Sequence, residues 1–181
     1  MKSTKDVLAT IRDGVCYSQS RAQNPLMKHP NKLLKHLEES EMKSLPRPKT
    51  GFVVTHFLTV SNIERSTHFY RDILGGEVVL AGEPTFIALG NTYIALNVGG
   101  GPTDDKPNVI LRPPTSSTEV SSFLNFRVSD IQHFHQEWKG KGAEFLTEPK
   151  NHKNEFRCYM KDPDGYLIEV GQTKAEAFKN A

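Results

Sequence analysis

The sequence predicts an α+β fold of two βαβββ repeats, whose paired mixed sheets come together around a cleft, preceded by an N-terminal helical extension. Three observations predict it. A strand, a capped helix and three short strands follow one another over residues 52–98, and the same order returns over 121–172. The halves also match locally: Val60-Ser61-Asn62-Ile63 with Val128-Ser129-Asp130-Ile131, Tyr70 with Trp138, and Asn97-Val98-Gly99 with Glu169-Val170-Gly171. Finally, one helix cannot cover both faces of a four-stranded sheet, so the two sheets are expected to meet and enclose a cleft.

Taken in order, residues 1–50 form an extension with one predicted helix, capped by Asn31 and carrying Leu33, Leu34, Leu37 and Leu45 on one side. Pro46 and Pro48 make Leu45 to Lys49 a stiff connector, because proline interrupts helix and drives its predecessor into extended geometry. The domain spans 51–173, with units 52–98 and 121–172, and 174–181 is a tail. Phe52 to Val60 reads as a strand from its Val, Thr and Phe content. Ser61-x-x-Glu64 has capping-box spacing; Ile63, Tyr70, Ile73 and Leu74 recur at helical spacing, and Gly75-Gly76 stops the helix. Strands follow over 77–80, 85–89 and 92–98, separated by the Gly82-Glu83-Pro84 and Gly90-Asn91 turns. Residues 99–119 are a crossover, whose three glycines lack the helix and Gly-Lys-Ser/Thr of a phosphate-binding loop. The second unit repeats the order: strand Ser122 to Val128, box Ser129-x-x-Gln132, helix with Ile131, Phe134 and Trp138, stop at Gly140-Lys141-Gly142, then three strands.

Bulk properties narrow the function. With 23 basic and 21 acidic side chains and no stripe of cations interleaved with aromatics, nucleic acid is not an expected partner. Two cysteines, Cys16 and Cys158, cannot build a secreted disulfide framework, and Cys158 reads as a small core residue. No apolar run reaches the roughly 18–20 residues that cross a bilayer. The expected setting is cytoplasmic; the somewhat basic, Ser- and Thr-containing first 30 residues leave organelle targeting as an alternative, against which Asp6 and Asp13 weigh.

With Phe69-Tyr70-x-x-x-Leu74-Gly75 in the first unit and Asp162-Pro163-Asp164-Gly165-x-x-x-Glu169 in the second, the chain resembles the vicinal oxygen chelate superfamily of glyoxalases, bleomycin-resistance proteins and extradiol dioxygenases. The resemblance implies a small-molecule enzyme acting on a substrate with vicinal oxygens, dependent on a divalent metal such as Zn, Fe, Mn or Ni. It also implies the alternative of a metal-free protein that sequesters a small molecule, and a homodimer in either case. The superfamily's metal site takes one side chain from the first and last strand of each unit. Those positions fall here on Thr55, Asn97, Phe123 and Glu169. Glu169 matches; Asn97 is a weaker neutral donor, and Phe123 cannot coordinate.

Glu169 alternates with Ile168 and Val170, which directs it toward the cleft as a metal ligand or as a catalytic group that moves a proton. Its structural alternative is a pairing with Asn125 or Arg127. His56 is the other candidate metal ligand, although alternation from Val60 places it with Leu58 against the helix, where it would be a packed core histidine. Thr55, Phe57, Asn97, Phe123, Asn125 and Arg157 are the candidate substrate-binding residues, Arg157 suiting an anionic group. His68, His133 and His135 read as surface residues, and Asp162-Pro163-Asp164-Gly165 reads as hairpin turn chemistry.

Overall fold

Alternation of apolar residues with period two, interrupted by two helical segments, builds two mixed sheets in the computed structural model, which describes residues 44–116 and 118–177. All of these belong to the unit Met42–Ala181; the predicted helix at 31–45 lies almost wholly outside the described residues. The first sheet has strands β1 (His56–Thr59), β2 (Glu77–Leu80), β3 (Thr85–Leu89) and β4 (Thr92–Asn97), in the order β1-β4-β3-β2. The second has β5 (Leu124–Arg127), β6 (Glu144–Phe145), β7 (Lys150–Asn151), β8 (Glu155–Lys161) and β9 (Leu167–Thr173), in the order β5-β9-β8-β6 with β7 also on β8. The first and last strands of each unit, β1 with β4 and β5 with β9, run parallel; all other pairs are antiparallel. This is the α+β double repeat expected.

Each sheet buries one face under its own helix. Helix α1 (Ile63–His68) continues as a wider π-turn over Phe69–Ile73 and covers Leu58, Ile87, Ile94 and Leu96. Helix α2 (Ile131–Gly140) lays Ile131 and Trp138 on Cys158, Met160, Ile168 and Val170. The two layers share one continuous apolar core, in which each fully buried Leu or Ile contributes roughly 1.5–3 kcal/mol. Gly76 is required where sheet and helix meet, because a Cβ there would lie 2.5 Å from Ile87 Cγ2.

Several boundaries differ from expectation for local reasons. The first strand begins at His56 rather than Phe52, because Val54 spends its carbonyl on the Thr92 hydroxyl (3.0 Å) instead of extending the ladder. Asn62 and Asp130 cap the helices, not Ser61 and Ser129: Asn62 Oδ1 accepts from the Arg65 amide at 2.8 Å, while Ser61 is drawn to Asp164. In the second unit Pro149 interrupts the expected strand, leaving β6 and β7 as two short pieces on β8. The crossover is pinned, with Gly100 and Leu111 exchanging both backbone hydrogen bonds (3.1 and 2.9 Å). Gly99 adopts φ 86° there, and a Cβ would clash with Leu111 O.

The Asp162-Pro163-Asp164-Gly165-Tyr166 segment joins the units as well as turning the chain. Asp162 Oδ2 accepts from the buried Tyr70 hydroxyl at 2.9 Å, and Asp164 accepts from Ser61, Ser66 and Arg65. The Tyr166 hydroxyl accepts from Thr59 N–H (3.2 Å) and donates to Thr59 O (3.0 Å).

Candidate site on the open face of the second sheet

Strand pairing decides which side chains meet. Asn125 stands opposite Glu169 on β5–β9, and Tyr159 stands opposite Glu169 on β9–β8, so all three project from the face that α2 does not cover. Glu169 is only 6% exposed, and both of its oxygens are engaged. Asn125 Nδ2 donates to Oε1 at 2.6 Å and the Tyr159 hydroxyl donates to Oε2 at 2.6 Å. Arg127 Nη1 lies 3.8 Å from Oε1 and bonds Glu155 at 2.8 Å, passing so close over Gly171 that a Cβ there would strike it. Arg157 donates to Glu155 at 3.1 Å, and its guanidinium stands 5.7 Å from the Tyr159 ring centre. Its buried Nε has no partner among the described residues. Phe123 meets Tyr159 edge to face at 6.3 Å. The hydrogen bond to Glu169, then burial, raises the Tyr159 phenol above its ordinary value.

The remaining candidates are distributed otherwise. In the first sheet Phe57 pairs with Ala95 and projects from the face opposite Leu58; it is 49% exposed, and Phe123 is 46% exposed. Thr55 is an exposed residue just before β1. Asn97 is half-buried, and its Oδ1 accepts from Gly99 N–H at 2.7 Å, which ties it to the start of the crossover. His56 pairs with Ile94 in unbroken register and shares a face with Leu58, not with Phe57. Burial lowers its pKa, which keeps the imidazole neutral over a wider pH range. It lines a cavity of about 420 Å³ at the seam between the units, together with Arg112, Phe123 and Tyr166; Glu169 is not among the lining residues. Among the described residues no group of three His, Cys, Asp or Glu side chains converges as a metal site would require.

Sequence reading passed over two features. Tyr159 is one, although counting back from the turn at 162–165 pairs position 159 with 169. His135, expected at the surface, is 2% exposed: its ring packs against Phe145 at 4.3 Å, tilted by 52°, and its Nδ1 lies 3.5 Å from Glu148. His68 and His133 do lie at the surface. Cys158 is a buried core residue whose thiol is pushed up to about 11, by burial and then by the Glu148 charge.

Comparison with known proteins agrees with this architecture. The family model described as "Glyoxalase/Bleomycin resistance protein/Dioxygenase superfamily" matches residues 52–170. The metallothiol transferase FosB of Staphylococcus epidermidis (strain ATCC 12228 / FDA PCI 1200) is 30% identical over 114 residues, covering 62% of this chain and 75% of that protein. Among solved structures, the cassette protein VPC_CASS1 from the mobile metagenome of V. Pseudocholerae superposes with a TM-score of 0.55 at 24% identity, covering 71% of this chain and 99% of that one. The fosfomycin resistance protein FosX from Listeria monocytogenes superposes with a TM-score of 0.53 at 15% identity, over 70% of this chain and 97% of that one. These structural likenesses speak for the fold. From the match over residues 52–170, the chain belongs to the glyoxalase/bleomycin resistance protein/dioxygenase superfamily.

Proposed function

We propose that the chain takes up a small organic molecule on the Glu169 face, with Glu169 as a fixed hydrogen-bond acceptor and Phe57 and Phe123 as apolar walls. The observation that carries this reading is the doubly held carboxylate. Asn125 and Tyr159 fix both oxygens while leaving lone pairs for a ligand hydroxyl or amine, and Arg127 and Arg157 stand beside it for an anionic group. Thr55 and Asn97 would contribute from the first sheet, Asn97 through its amide N–H groups, since its oxygen is taken.

The face is open in one copy, with Phe57 and Phe123 each about half exposed. Pairing of two copies through these faces would exclude water from the site, so a homodimer is part of the proposal. Among the described residues no helix is long and apolar enough to cross a membrane.

Catalysis at the same site is a second reading, favoured by the 30% identity to a metallothiol transferase over 75% of its length. Glu169 would then move a proton at a substrate bearing vicinal oxygens. Calorimetry and turnover assays on a panel of such compounds test both readings, using the unmodified chain, Glu169→Gln and Phe123→Ala. Binding that weakens at least tenfold in both variants is expected, and turnover abolished by Glu169→Gln would establish the catalytic form. Equal affinity in all three proteins would refute the placement.

A further inference from the structure

We infer that this chain has exchanged the superfamily's divalent-metal centre for a carboxylate held by hydrogen bonds, so that Glu169 meets its ligand directly. Each position that would hold a metal carries a reason against it. Phe123 has no donor atom, and its ring is packed edge to face on Tyr159 at 6.3 Å. Thr55 offers a neutral hydroxyl. The Asn97 oxygen is committed to Gly99 N–H at 2.7 Å, inside a turn that a glycine at φ 86° holds tightly against Leu111. Only Glu169 is anionic, and both of its oxygens already accept hydrogen bonds of 2.6 Å.

Charge argues the same way. The Arg127 guanidinium, 3.8 Å from Glu169 Oε1, places a permanent cation beside the carboxylate, where a divalent ion would meet repulsion and a single compensating charge. His56 cannot supply the missing nitrogen. It sits on the opposite face of β1 in a ladder with no register shift, and turning it over would require a bulge that the β1–β4 pairing lacks. A paired second copy does not complete the set either, because symmetry brings the same Thr55, Asn97, Phe123 and Glu169 side chains.

The inference rests on the proposed site for its functional meaning, but its test uses metals alone and is independent of any organic ligand. The full chain, purified without an affinity tag, is equilibrated with Mn²⁺, Zn²⁺ or Ni²⁺, freed of excess ion and analysed for its elements. It should retain far less than one metal per chain, unchanged by Glu169→Ala. The double variant Thr55→His with Phe123→His supplies imidazoles at the two first-strand positions that the family resemblance assigns, Phe123 being the one packed on Tyr159 beside Glu169, and should raise Zn²⁺ and Ni²⁺ affinity at least a hundredfold. Phe123→His alone, at a half-exposed ring packed on Tyr159, should give a rise of at least threefold if the double variant does not fold. Near-stoichiometric metal in the unmodified chain that Glu169→Ala removes would overturn the inference. Variants that fold and gain no affinity would overturn the donor argument on which it stands.

Discussion

Tyr159 and Glu169 face each other across the antiparallel β8–β9 pair, and the phenol donates to Glu169 Oε2 at 2.6 Å. A hydrogen bond to an ionised acceptor is stronger than one between neutral groups, so Tyr159→Phe should cost about 1–3 kcal/mol in chemical denaturation. Because the freed oxygen then lacks its positioning donor, ligand affinity should fall as well. A variant with unchanged stability and affinity would show that the contact does neither.

The same logic applies at the joint between the units. Tyr70→Phe removes the donor to Asp162 Oδ2 in a fully buried setting and should destabilise by about 1–3 kcal/mol. Burial first, then Asp162, raises the Tyr70 phenol well above its usual 10.0. Above pH 10 the unfolded chain therefore releases a proton that the folded chain keeps, so this contribution is intact below that pH and is lost as pH rises toward the folded value. The stability difference between the unmodified chain and Tyr70→Phe should shrink as pH rises above 10.

Asp164 gives the opposite pH signature. Burial pushes its pKa up, but the donors from Ser61, Ser66 and Arg65 outweigh it and leave the group below its usual 3.8. Its contribution is present above that value and is lost as pH falls below it. Asp164→Ala should destabilise the domain at neutral pH, with the gap to the unmodified chain narrowing below pH 4 in acid titrations followed by circular dichroism.

His135 keeps its buried Nε2 without a partner among the described residues. Removing an unsatisfied buried polar atom while retaining apolar contact with Phe145 should be nearly free, so His135→Leu should fall within about 1 kcal/mol of the unmodified chain in thermal unfolding.

The repeat was legible because matched residues do matched work: Val60 and Val128 each close the covered face of a first strand, and Tyr70 and Trp138 each fill the space under a helix. Strands 77–80 and 85–89 fell where alternation and turn residues put them. What local pattern could not show is where side chains go once distant segments meet. Ser61 looked like a cap, and Asp164, 103 positions away, claimed it. His135 looked exposed on its helix, and the loop around Phe145 and Glu148 covered it. The face that carries Glu169 was readable from period-two alternation, and so was its pairing with Asn125, whereas Tyr159 joined them only when the β8–β9 register was fixed.

The most direct measurement is a nuclear magnetic resonance titration of the isotopically labelled full chain with small molecules bearing vicinal oxygens, alongside Glu169→Gln. Amide shifts gathered at Phe57, Asn97, Asn125, Tyr159 and Glu169, and lost in the variant, are the predicted result. Shifts gathered instead around His56 and Arg112 at the seam cavity, undiminished in Glu169→Gln, would contradict the placement of the working site on the open face of the second sheet.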